Sequence, residues 1–270
     1  MEYNLEFIKK SDLIDHVEET INKYEGNLQI WDLSLFNKNI IDPIKMLFDK
    51  VVNAYSWEEV IENEIFRQRD KSNTNAIGYF HQNIFKYIDN CEVPELVWDV
   101  IWEPDNGIEV AGKRYKRAKV EMKNKHNTMN SSSAAATYAK MMSELIDDPE
   151  CVTFLVEAIA KRSQDIPWVA EFEGKRVENE RLRRVSLDRF YAMVTGEKDA
   201  FYQLCLILPE IITFVFENSN EINLQEDTVF QELMDMVGGD KETESLGMAL
   251  MMLGFGTYYG FTDFEKKDGC

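Results

Sequence analysis

The sequence predicts an α/β protein: a small central sheet wrapped by helices, with helical regions at both ends of the chain. Three observations predict it. Apolar residues recur at three- and four-residue steps through the first 90 positions, a strand–helix–strand pattern occupies the middle, and helical spacing returns from 186 onward. A chain of 270 residues, 44% hydrophobic and 29% charged, can bury a sizeable core in one large domain. A single domain over 1–270 is expected, with a helical part to about 100, an α/β core over 101–196 and an acidic helical part over 197–270.

Near the N-terminus, Ile44, Leu47, Phe48, Val51, Val52 and Tyr55 form a helical stripe. Ser56, followed by Glu58 and Glu59, reads as the N-cap of a helix running to about Arg69. A polar break over 70–75 precedes a second helical segment, and Pro94 opens a short helix. Residues 108–111 and 115–122 read as strands joined by a turn at Gly112. A polar stretch follows, then a helix over 134–146 with Ser131 to Ser133 as N-caps and Pro149 as its stop. Residues 151–161 read as a buried strand, and a strand, crossover helix and strand predict a parallel pair.

The N-terminus lacks the basic start and apolar core of a signal peptide. The apolar run 247–261 is shorter than the roughly 20 residues that span a bilayer, and reads as core or as a dimer interface. Cys91, Cys151, Cys205 and Cys270 lie far apart, with no CxxC, which suits neither a zinc site nor a disulfide framework. A soluble, cytoplasmic protein with no membrane partner is expected. Net charge is −19, but it is unevenly placed. Residues 199–265 hold 13 acidic side chains against Lys241, whereas 113–125 hold seven Lys or Arg against Glu121. A second basic group comprises Lys161, Arg162, Lys175, Arg176, Arg181, Arg183, Arg184 and Arg189. A polyanion touching the middle third would meet positive charge.

The chemistry concentrates in EPDNGIEVAGKRYKRAKVEMKNKHNTMNSSS. A hairpin with a three-residue loop centred on Lys113 places Asp105 level with Glu121, and Glu121 and Lys123 share a strand face. Asp99 and Glu103 lie close by, so the hairpin register decides which acid stands there. Two carboxylates suit Mg²⁺, a hard cation that prefers oxygen ligands, and a lysine beside them can orient water or stabilise charge. Asp105, Glu121 and Lys123 are therefore the candidate catalytic residues, with Asp105 and Glu121 as metal ligands. Glu64, among Glu58, Glu59 and Glu62, is a candidate accessory ligand, against the plainer reading of an exposed acidic helix face.

Pro104-Asp105…Glu121-x-Lys123 resembles the PD-(D/E)xK nucleases. The run VEMKNKHNTMNSSS is similar to type II restriction endonucleases that cut GGNCC or GGWCC sites, and NAIGYFHQNIF and FYAMVTG resemble the same group. The resemblance implies a restriction-endonuclease-like fold, a mixed central sheet flanked by helices, with the active site at a sheet edge. It also implies a homodimer acting on a palindrome in double-stranded DNA, and a companion methyltransferase protecting that site. Asn124, Lys125, His126, Asn127, Thr128 and Asn130 are candidate DNA contacts, since Asn and Lys read base edges and helix-start amides hold phosphate; caps and turns are the structural alternative. Arg181, Arg183, Arg184 and Arg189 are candidates for guanine readout, against a salt-bridged helix with Glu178, Glu180 and Asp188. A different class of reading is a non-catalytic acidic helical protein, or a DNA mimic, acting through 199–265.

Overall fold

The structure is a computed structural model and describes residues 3–26, 30–172, 175–218, 227–239 and 243–255. The chain forms two compact units: Met1–Asn22 with Asn75–Asn220, and Lys23–Thr74 with Glu221–Cys270.

The first unit holds a six-stranded mixed sheet. Its strands are β1 (Cys91–Glu92), β2 (Val100–Trp102), β5 (Arg117–Lys125), β6 (Cys151–Ile159), β7 (Asp165–Pro167) and β10 (Leu182–Ser186), in the order β1-β2-β5-β6-β10-β7. The predicted parallel pair is there: β5 and β6 run parallel, joined through helix α5 (Ser131–Asp147), and β10 continues the parallel core beside β6. Seven consecutive residues of β6 are buried, as expected of a strand covered on both faces. One face packs against α1 (Lys10–Gly26), α6 (Leu187–Thr195) and α7 (Ala200–Asn218), through Leu13, Val120, Phe154, Phe190 and Ile211. The other packs against α5, through Trp98, Met141, Leu155 and Leu182.

Three expectations in this unit are corrected. Residues 108–111 do not pair with 117–122, and the predicted register is not formed: Ile108 lies opposite Tyr115. Instead β3 (Ile108–Val110) and β4 (Lys113–Tyr115) form a separate small hairpin, and β5 pairs antiparallel with β2. The turn at Gly112 is real but has two residues, Ala111 and Gly112, both at positive φ (49° and 72°), the geometry that suits strand twist in a tight hairpin. No helix follows Pro94. The cap of α5 is Asn130, whose Oδ1 accepts from Ser133 N at 2.8 Å, one residue before the predicted serines.

The second unit is helical: α2 (Leu33–Asn37), α3 (Pro43–Val52), most of α4 (Trp57–Asn83), α8 (Val229–Met236) and α9 (Thr243–Phe255) surround Phe36, Met46, Trp57, Ile61, Leu233 and Leu250. Ser56 caps α4 with a reciprocal pair of bonds: Glu59 N donates to Ser56 Oγ (3.1 Å) and Ser56 N to Glu59 Oε2 (2.7 Å). The helix then continues through the polar residues 70–75, where a break was expected: Asp, Ser, Asn and Thr are weak helix formers, but none is Pro or Gly, the residues that cost a helix most. On α3 the helix is as predicted but its buried side is not: Ile44, Phe48, Val51 and Val52 are exposed, while Pro43 and Met46 are buried. Within 247–261, Ala249 and Leu250 are core; positions 256–261 lie outside the described residues. Helix α7 is long and apolar enough to cross a membrane; Ala200, Leu204, Ile207, Ile211 and Val215 along one side are buried in the first core, while Tyr202, Leu206, Ile212, Phe214 and Phe216 are exposed.

Candidate active site at the strand ends

The pairing Val100↔Val120, Ile101↔Lys119, Trp102↔Ala118 brings Asp99, not Asp105, level with Glu121. Asp99 itself lies just outside β2: its N–H donates to Val120 O at 3.0 Å, one residue off that register. Its Oδ2 accepts from Met122 N at 2.6 Å, which fixes the carboxylate across the strand pair. Asp105 lies beyond the paired end of β2, exposed, in a Pro104–Gly107 turn closed by Gly107 N donating to Pro104 O (2.9 Å). Pro-Asp-Asn-Gly is a strong turn sequence, and here the turn chemistry takes precedence over the nuclease-like spacing.

Glu121 and Lys123 share one face of β5, as alternation requires. Lys123 Nζ donates to Glu121 Oε1 (2.7 Å), and Lys140 Nζ, from α5, donates to Oε2 (2.6 Å). Lys140 also donates to Val97 O (2.5 Å) and stands 4.3 Å from the centroid of the Trp98 ring. Burial pushes the Asp99 carboxyl up, opposed by the Met122 bond and reinforced by the Glu121 charge, and the net direction is up. Burial acts on Glu121 in the same sense, but the hydrogen bonds and charges of Lys123 and Lys140 outweigh it and hold this carboxyl below its ordinary range. Two unlike carboxylates therefore face each other, one resisting ionisation and one favouring it.

A cavity of about 420 Å³ opens beside them, lined by Asp99, Lys123 and Asn124 of the strands and by Asn75, Tyr79 and Gln82 of α4. Gly78 permits that approach, because a Cβ there would come within 3.2 Å of Asn124 Oδ1. The cavity sits at the carboxyl end of β5, where open α/β sheets bind ligands.

The other predicted residues divide. Asn124 lines the cavity, and Lys125, Asn127 and Thr128 are exposed just past the strand end. Thr128 Oγ1 donates to Lys125 O at 2.9 Å, and Asn130 is occupied as the α5 cap. Arg181 belongs to the fold: it donates to the carbonyls of Leu145 (2.6 Å), Pro149 (3.0 Å) and Cys151 (3.2 Å). Arg183 pairs with Asp165 (2.6 Å). Arg184 binds Glu157 and the carbonyl of His126 (3.0 Å), and Arg189 is exposed on α6. Arg181, Arg183 and Arg184 stand in or just before a strand, so the salt-bridged helix considered for them is not formed. Glu64 is buried in the second unit, bonded to Arg67 (2.5 Å) and Gln68 (3.0 Å), not on an exposed face.

Glu144, Asp148 and Cys151 also converge, but at the opposite end of β5 and β6, where Arg117 is level with Cys151. Their carboxylates are taken by Lys119 (2.5 Å) and Arg117 (2.9 Å), and burial pushes the Cys151 thiol up to about 12, so this group is neutralised. Sequence reasoning named Asp99 only as a neighbour of the site and did not reach Lys140. An acid leading the strand-forming run Val100–Trp102 was a usable signal for the first; nothing in the sequence ties Lys140 to Glu121.

Residues 5–217 match the Eco47II restriction endonuclease family. The chain belongs to that family. Its members are type II restriction enzymes, site-specific deoxyribonucleases that hydrolyse DNA. The type II restriction enzyme Sau96I of Staphylococcus aureus is 31% identical over 215 residues, covering 76% of this chain and 78% of the relative. Eco47II of Escherichia coli is 26% identical over 221 residues, covering 78% of this chain and 87% of the relative. The Eco47II-family match contains the whole six-stranded sheet and ends inside α7, so every site residue from Asp99 to Arg184 falls within it.

Proposed function

We propose that this endonuclease requires Mg²⁺ and hydrolyses double-stranded DNA at a short GC-containing palindrome of the GGNCC or GGWCC kind, with Asp99, Glu121 and Lys123 as its catalytic residues. The observation that carries the assignment is Asp99 standing level with Glu121 while two lysines hold the Glu121 carboxylate. The donor set fits a hard divalent cation: Asp99, pushed up by burial and by the charge of nearby Glu121, would be relieved by one. When bound there, Mg²⁺ supplies Lewis acidity toward a phosphodiester oxygen and water.

The chain's own groups do the rest. Asp99 and Glu121 would hold the cation, and the Met122 bond keeps Asp99 in place. Lys123 faces the cavity from beside Glu121 and orients the attacking water or stabilises the charge that develops on phosphate. Lys140 positions Glu121 from behind. Asn124, Lys125, Asn127 and Thr128 follow the catalytic strand and contact the substrate as it enters. A palindrome presents two equivalent strands, so the active species is a homodimer with one site per strand, and a methyltransferase of the same specificity protects the host. A cytoplasmic location follows from that role.

Purified protein incubated with unmethylated phage DNA and Mg²⁺ is expected to give discrete bands, lost on chelation and in Glu121→Gln. Intact DNA, or an unresolved smear with every variant, would overturn this reading.

A further inference from the structure

Three of the candidate arginines, Arg181, Arg183 and Arg184, stand in or just before β10, and their surroundings separate them. The guanidinium of Arg181 is consumed by main-chain carbonyls and that of Arg183 by Asp165 and Glu180. Arg184 differs. It rises from β10 into a second cavity of about 630 Å³, shared with His126, Asn127, Glu157, Lys161 and Arg162. Strand register places this cavity beside the catalytic strand: Glu157 of β6 is level with Lys123 of β5 and with Ser186 of β10. Alternation then puts Lys123, Glu157 and Arg184 on one sheet face.

Glu157 is only 1% exposed, a rare position for a carboxylate. It bonds the Arg184 Nη2, which also donates to His126 O. The pairing is incomplete: Glu157 Oε2 and Arg184 Nε are both buried without a partner. Such a pair stabilises a fold little compared with apolar residues of the same size, whereas losing either member leaves an uncompensated buried charge. Its effect is to hold the guanidinium in one orientation. With Nη2 committed and Nε enclosed, Nη1 is the donor left for the cavity. The adjacent carboxylate charge disfavours a phosphate there, but not the neutral O6 and N7 acceptors of guanine. Lys161 and Arg162, exposed at the rim and in no ion pair among the described residues, suit the phosphates on either side.

We infer that Arg184, held by the positioning residue Glu157, reads the major-groove edge of one guanine in the recognition site. This rests on the restriction-endonuclease reading above and adds to it the residue and base involved. The test is binding, with Ca²⁺ in place of Mg²⁺, of a GGACC duplex, copies in which one guanine at a time is replaced by an analogue lacking the N7 acceptor, and a scrambled duplex. Wild-type protein is expected to lose about tenfold or more in affinity for the analogue at one position. Arg184→Met, which leaves no donor at this position, is expected, in preparations whose circular dichroism matches wild type, to bind the parent and that analogue alike. Glu157→Gln, in preparations whose circular dichroism matches wild type, is expected to blunt the same discrimination while retaining the salt dependence. If the Arg184 variant keeps the full penalty at every guanine, the inference is overturned while the nuclease reading stands. If wild-type protein binds GGACC and scrambled duplexes alike and cuts neither, the recognition reading itself falls, and this inference with it.

Discussion

Asp99 and Asp105 are both carboxylates near β2, and only one is held where chemistry can use it. Asp99→Asn is expected to lower cleavage by about 100-fold or more, as removing a charge-organising group does, with the fold intact. Asp105→Ala is expected to cleave like wild type, since its side chain lies in an exposed turn. Cleavage rates on one plasmid substrate separate the two, and the reverse result would return the site to the Pro-Asp spacing. Lys140 offers a second test at this scale. It is one of two cations holding the Glu121 carboxyl low. Lys140→Met removes it, so the Glu121 pKa rises and the acid limb of the cleavage profile moves to higher pH. A profile that loses amplitude without moving would leave Lys140 as packing alone.

At the level of elements, α4 matters most, because its last turns form one wall of the cavity. Gly78 is the point of closest approach. Gly78→Ala is expected to favour the helix by under about 1 kcal/mol, since alanine is the better helix former and the atoms it meets are the movable end of Asn124. The same methyl displaces the Asn124 amide, so DNA affinity should fall while the melting temperature holds or rises. A variant that loses stability as well would mean the Asn124 side chain cannot give way. The β3–β4 hairpin teaches a related lesson: its two-residue turn fixes a short local pairing and leaves β5 free to pair with β2.

For the molecule as a whole, charge and protonation set the working range. Four of the seven cations in 113–125 (Lys116, Arg117, Lys119 and Lys123) are spent in ion pairs, so the basic character of the middle third is smaller in the fold than in the sequence. Burial, and then the neighbouring His16, push His81 down from its ordinary 6.5 to about 4. Between those values the unfolded chain holds the extra proton and the folded chain refuses it, so stability falls as pH falls. Between pH 7 and pH 5 the loss attributable to His81 is about 2 kcal/mol. Thermal melts across this range should slope less steeply for His81→Gln than for wild type; parallel slopes would assign the acid sensitivity to other groups.

The parallel β5–α5–β6 unit and the adjacency of Glu121 and Lys123 could be read from the sequence alone, because each is set by local periodicity: apolar runs and caps mark the elements, and a spacing of two fixes a strand face. The same was true of Ser56 as a cap and of the resemblance carried by VEMKNKHNTMNSSS. Which acid faces Glu121, which lysine supports it and which arginine remains available were decided by tertiary structure. Each depends on a partner distant in the chain: Asp99 on the β2–β5 register, Lys140 on the docking of α5, and Arg184 on buried Glu157. Local propensity does not encode strand register across an intervening hairpin, and a charged residue looks the same in sequence whether or not the fold has already taken its charge.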